Sequence, residues 1–149
     1  MNQKTLRIAE ELVKTAEDLI FAAYYEFPAK GNYHNNPTNI DAHIGQTEQK
    51  KINNSCRLKA RQSGVSDRVF NQVLKNLTSL FLNATPETSA LIPGKKNDDA
   101  YDKRYYRTSS NIENHNYSIR FMVKFPTTDP KRKKPNAINN KLYSIEVHK

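Results

Sequence analysis

Three consecutive residues, Gly64, Val65 and Ser66, hold both a helix stop and a helix start, and that pairing limits what the surrounding chain can become. Gly64 supplies a backbone able to take positive φ at the end of one helix. Ser66 can cap the next by accepting a hydrogen bond from an amide one turn in. The stretch 57–77, RLKARQSGVSDRVFNQVLKNL, therefore predicts two helices joined by a turn too short to let them separate. From Val65 the apolar residues recur as Val69, Phe70, Val73, Leu74, Leu77, Leu80 and Phe81, one broad stripe at helical spacing. The other side carries Arg68, Asn71, Gln72 and Lys75, which match major-groove chemistry: Arg to the guanine edge, Asn or Gln to adenine, Lys to phosphate.

Ala60 stands four residues before Gly64, Val65 follows it, Ser66 opens the second helix and Val73 falls at the later apolar position. Over these residues the chain resembles the helix-turn-helix of bacterial and phage repressors. The resemblance implies that the second helix is a recognition helix, with Ser66 at its start, Arg68, Asn71 and Gln72 reading bases, and Lys75 on phosphate. A plain helical hairpin is the competing reading of the same residues.

The charge balance favours the first reading. Lys and Arg number 24 against 15 Asp and Glu, a formal +9, and such a field attracts polyanions. Nucleic acid is the first partner to consider, and anionic membrane a weaker second. With hydrophobic residues at 36%, the core must be small and surface loops long. A length of 149 residues fits a single domain, with a helical part over 1–83 and a loop and β part over 84–149. Cys56 is the only cysteine, so no intrachain disulfide can form, and on a stripe with Ile52 it reads as a small buried hydrophobe. No apolar run approaches the ~18 to 20 residues that span a bilayer, and a cytoplasmic protein is expected. Abundant Asn, Lys and Ile point to an AT-rich genome, bacterial or of a mobile element.

Along the rest of the chain, residues 5–26 predict an amphipathic helix ended by Pro28, a scaffold or a dimer surface that leaves a homodimer open. Residues 29–45 read as a long Gly-, Pro- and Asn-rich loop. It holds His34, Asp41 and His43, without the spacing or further ligand that a metal site needs, so no metal and no cofactor are expected. A second helix runs to Gln62, with Ile52, Cys56 and Ala60 inward and Lys50, Lys51, Arg57, Lys59 and Arg61 outward, where they could follow a phosphate backbone. Residues 83–114 read mostly as connection, with a helical turn at 86–91. In that connection Tyr101, Tyr105 and Tyr106, interleaved with Lys103, Arg104 and Arg107, could stack on bases and hold phosphates, or form an edge strand.

Strict alternation over 117–125 is the strongest strand signal, and 142–147 predicts a second strand. Between them Lys131, Arg132, Lys133 and Lys134 form a compact basic block. Two strands holding a basic loop after a helix-turn-helix is the order of a winged helix, in which the loop meets the sugar-phosphate backbone. The expected architecture is α+β: three N-terminal helices, then a small antiparallel sheet. The expected function is a small DNA-binding protein, a regulator or a phage or mobile-element protein, that binds double-stranded DNA. Two other classes compete. A nuclease or ribonuclease toxin would pair His115 with His148 as general acid and base, with Lys124 or Arg120 stabilising the phosphorane. An inhibitor or interaction protein would meet a nucleic-acid-loaded or acidic partner with its basic face.

Overall fold

A computed structural model describes residues 28–95 and 98–149. The helix expected over 5–26 lies outside the described residues. The rest is organised around a curled, mixed sheet of six strands in the order β1-β2-β6-β5-β4-β3. Its strands are β1 (Gly31–Asn35), β2 (Ile40–Ile44), β3 (Thr85–Pro86), β4 (Tyr101–Ile112), β5 (His115–Pro126) and β6 (Lys141–His148). Neighbours pair antiparallel except β2 and β6, which run parallel and meet at His43 and Lys141. The expectation of three helices followed by a small winged-helix sheet is therefore wrong. Among the described residues two strands precede the helices, and the sheet dominates the fold.

The segment read as a long loop is the β1–β2 hairpin. Tyr33, Ala42 and Ile44 point inward from it, and Asn39 takes a positive φ of 50° in the turn. What hides the pattern in the sequence is Asn35, a polar residue at a core position with no exposed surface. Its amide donates to the carbonyls of Phe81 (2.8 Å) and Ala84 (2.7 Å), and its Oδ1 accepts from the Thr38 amide (3.1 Å) and hydroxyl (2.6 Å). All four of its hydrogen-bonding positions are used, which offsets the cost of burying it.

Helix α1 runs over Gln46–Lys51, through a π-helical turn at Ile52–Cys56, and on over Arg57–Gln62. Gly64, at φ 81°, ends this part of the chain. Ser66 caps α2 (Asp67–Lys75), its Oγ accepting from the Val69 amide at 3.2 Å. The turn and the cap are as the sequence indicates. The single stripe from Val65 to Phe81 is not one helix, because Asn76, at ψ 15°, breaks it before α3 (Leu77–Leu82). Phe81 of α3 meets Phe121 of β5 and Tyr106 of β4 edge-on, with centroids 5.4 and 5.6 Å apart, and this aromatic knot joins helices to sheet.

Residues 86–91 form no helical turn. Thr85 and Pro86 pair with β4, and β4 itself crosses much of the stretch read as connection. A two-residue turn with both residues at positive φ, Glu113 (52°) and Asn114 (66°), joins it to β5. The strand signal over 117–125 falls within β5, and that over 142–147 within β6. Among the described residues no helix is long and apolar enough to cross a membrane.

Candidate functional site

Alternation along β5 sends Tyr117, Ile119, Phe121, Val123 and Phe125 into the core. The intervening residues therefore stand on the opposite, open face. Register carries that face across the sheet. Lys103 of β4 lies directly opposite Lys124 of β5, Lys124 opposite Lys141 of β6, and Lys141 opposite His43 of β2. Three lysines thus stand side by side on three adjacent strands. Like charges placed directly opposite destabilise a strand pair, and among the described residues the only ion pair on this row joins Lys124 to Asp98.

Each lysine rests on a tyrosine. The Lys124 ammonium lies 3.4 Å from the Tyr143 ring centre, that of Lys141 4.9 Å from Tyr101, and that of Lys103 5.8 Å from Tyr105. The ring quadrupole attracts each cation, which partly offsets the repulsion along the row. Lys51 reaches over from α1 to the Tyr143 ring at 4.2 Å, so Tyr143 meets two cations. The next row along the strands is Tyr105 opposite Met122, and beyond it Arg107 opposite Arg120 opposite Glu146. Arg120 stacks 3.7 Å from the Tyr105 ring centre. Both arginines also donate to Glu87, at 2.9 to 3.1 Å. Hydrogen bonds from Arg120, then those from Arg107, hold the Glu87 carboxyl below the usual carboxylate range. A face of this make-up can hold anionic groups and offer flat rings to stack on.

The residues expected to contact DNA do not share one surface. Arg57 is 1% exposed. Its Nε donates to Asn53 Oδ1 (3.2 Å), its Nη1 lies 3.6 Å from the Asp67 carboxylate, and its guanidinium sits 4.9 Å from the Phe70 ring centre. It is a core element and cannot hold a phosphate from there. Asn71 is 7% exposed, with its Oδ1 buried, so it does not stand out to read a base. Arg68 is exposed, but its guanidinium pairs with Glu113 of the β4–β5 turn at 3.2 Å. Ser66 is occupied in capping, Gln72 is half-buried, and Lys75 and Lys50 are exposed.

The basic block does not form a wing beside α2. Arg68 marks one end of β5 through Glu113, while residues 131–134 lie in the loop leaving the other end. Between the two ends run the 12 residues of β5, on the order of 35–40 Å of strand. Within the block, Arg132 donates to Asp102 Oδ1 (2.9 Å) and the Asp99 carbonyl (3.1 Å), and Lys134 lies 3.7 Å from Asp99. The loop is thus tied to the start of β4, with Lys131 and Lys133 exposed.

His115 and His148 do not form an acid–base pair. His148 lies opposite Ser118 on the open face, and His115, three residues before Ser118, falls on the other side of the strand. His148 instead borders a cleft of about 280 Å³ with Glu146, Lys59 and Cys56. Burial pushes the Cys56 thiol up, away from a reactive thiolate. On β1 and β2, His34 pairs with Asp41 (2.8 Å) and His43 with Asn32 (3.0 Å). Among the described residues no group of three or more His, Cys, Asp or Glu is placed to hold a metal ion.

Of the sequence candidates, Lys51, Tyr101, Lys103, Tyr105, Arg107, Arg120 and Lys124 come together on the open face. Lys141, Tyr143 and Met122 join them without any earlier signal, because only strand register shows that they are neighbours. No family model matches this chain, and neither a curated protein nor a solved structure shows significant similarity to it.

Proposed function

We propose that the protein binds nucleic acid through the open face of its sheet, with Lys103 and Lys141 holding phosphates, Lys124 between them tied to Asp98, and the neighbouring tyrosines meeting bases. The observation that carries the reading is the row of three directly opposed lysines, each laid on a tyrosine. Directly opposed like charges destabilise the strand pairs that carry them. A polyanion lying across the row relieves that repulsion and gains counterion release. The formal +9 of the chain supports the same partner. A cytoplasmic site of action goes with it.

Duplex reading by α2 has less support. Its exposed side keeps Arg68 and Lys75, but Asn71 is buried and Arg68 is engaged by Glu113.

The test is a salt titration of binding to DNA and RNA oligonucleotides by fluorescence anisotropy. Each phosphate contact contributes about 0.7–0.9 to the slope of log affinity against log salt. The double variant Lys103→Ala/Lys141→Ala is expected to flatten the slope by roughly 1.5, and Lys131→Ala/Lys133→Ala by less. A sheet-face variant whose slope equals that of the wild type refutes the assignment, as does absence of binding at low salt.

A further inference from the structure

Beside the lysine row the open face closes into a small pocket of about 160 Å³. Tyr101 and Tyr143 form walls, Met122 lies between them on β5, Lys103 and Lys124 stand at the side, and Asp98 sits at the rim. We infer that this pocket accepts one unpaired nucleobase, so that the ligand is single-stranded nucleic acid rather than a duplex. The inference rests on the nucleic-acid reading above and narrows it.

Size is the first reason. Sites for small organic ligands run to roughly 300–1,000 Å³. A pocket of about 160 Å³ is too small for a whole nucleotide but suits a single ring system whose sugar and phosphate stay outside. Lys103, which lines the pocket, and Lys141, opposite Lys124 on β6, supply positive charge for that phosphate.

The second reason is the chemistry of the walls. Aromatic rings and a thioether make favourable contact with the flat face of a base, and every base has such a face. A duplex hides those faces in its own stack, and only an unpaired strand can offer them. Asp98 adds a polar edge. Its carboxylate is half-exposed and held in place by Lys124. A fixed acceptor at the rim suits the ring N–H or exocyclic amine of a base.

The third reason is that the backbone around the pocket is built to close tolerance. A Cβ placed on Gly94 would come within 2.2 Å of the Tyr101 carbonyl oxygen and 2.3 Å of that of Asp98. Only glycine lets this part of the chain lie so near the two residues that form a wall and the rim.

The experiment compares three labelled ligands of equal length in the intact protein: a mixed-sequence single strand, an abasic strand that keeps sugar and phosphate alone, and the duplex. Wild-type protein is expected to bind the intact strand at least tenfold more tightly than the abasic one. Tyr143→Leu is expected to lose about tenfold on the intact strand and clearly less on the abasic strand, while Tyr143→Phe, which keeps the ring, stays within about twofold of wild type on both. Tyr101→Leu repeats the comparison should the Tyr143→Leu chain melt early by circular dichroism. A second readout needs no variant. The chain has no tryptophan, so its intrinsic fluorescence comes from tyrosine, and the intact strand is expected to quench it where the abasic strand does not. Equal, salt-dependent binding of intact and abasic strands with equal quenching overturns the base pocket and leaves the nucleic-acid reading standing. No binding of any of the three overturns both.

Discussion

Replacing Arg57 by alanine separates a structural guanidinium from a phosphate ligand, because the two roles predict opposite results. In the fold Arg57 is shut in among Asn53, Asp67 and Phe70. Removing one partner of a buried ion pair costs about 3–5 kcal/mol. The lower end applies here, since Asp67 is partly exposed and keeps its 2.7 Å contact with Arg61. Loss of the stack on Phe70 adds about 1–2 kcal/mol, and Asn53 Oδ1 loses its donor in the interior. A total near 4 kcal/mol is between about a quarter and four-fifths of the stability of an ordinary domain, ~5–15 kcal/mol. At about 2–4 °C per kcal/mol for a chain of this size, the melting midpoint should fall by roughly 8–16 °C. Thermal unfolding followed by circular dichroism measures it. Nucleic-acid affinity, taken well below the variant's midpoint, is expected to stay near wild type. An Arg57→Ala protein that melts within about 2 °C of wild type yet binds more weakly would show the guanidinium at the surface and undo the placement of α1 against α2.

Two further outcomes follow from single side chains. The Glu87 carboxyl is held low by Arg120 and Arg107, so its contribution to stability is complete above the ordinary glutamate range and is lost as pH falls through the depressed value. Glu87→Gln is therefore expected to lower the melting midpoint at neutral pH and to flatten its decline between about pH 5 and pH 2; an acid limb identical to wild type counts against the Arg–Glu87–Arg bridge. Cys56 is buried with its thiol pushed up, so a thiol reagent at pH 8 should label it only slowly in the native protein and fully in denaturant. Rapid native labelling would place Cys56 outside the core.

What the sequence reveals and what it conceals divide along a physical line. Local signals carry over. Gly64 and Ser66 act through their own backbone and one neighbouring amide, so the turn and the cap of α2 can be read directly. Alternation along β5 is equally local. Signals that depend on distant partners do not carry over. Asn35 looks like a loop residue until Phe81 and Ala84 supply the carbonyls that satisfy it. Strand β4 shows in the sequence only as an alternative reading of its tyrosines, and its turn to β5 is Glu-Asn instead of a pair such as Asn-Gly, so the hairpin does not stand out. The apolar stripe continues unbroken past Asn76, and periodicity alone cannot report the helix break there. The lysine row is the clearest case. Lys103, Lys124 and Lys141 come from separate stretches of chain, and only the pairing of β4, β5 and β6 lines them up.

The parallel meeting of β2 with β6 has a bearing on how the chain reaches this shape. His43 must wait for Lys141, nearly a hundred positions downstream, and until that strand emerges from the ribosome the first hairpin has no sheet to join. It can rest meanwhile on α3, through the Asn35 amide and the bond from the Asn36 amide to the Leu82 carbonyl. Contacts of such long range are slow to form. Synthesis halted before Lys141 would leave β2 as a bare edge, open to pairing with another chain.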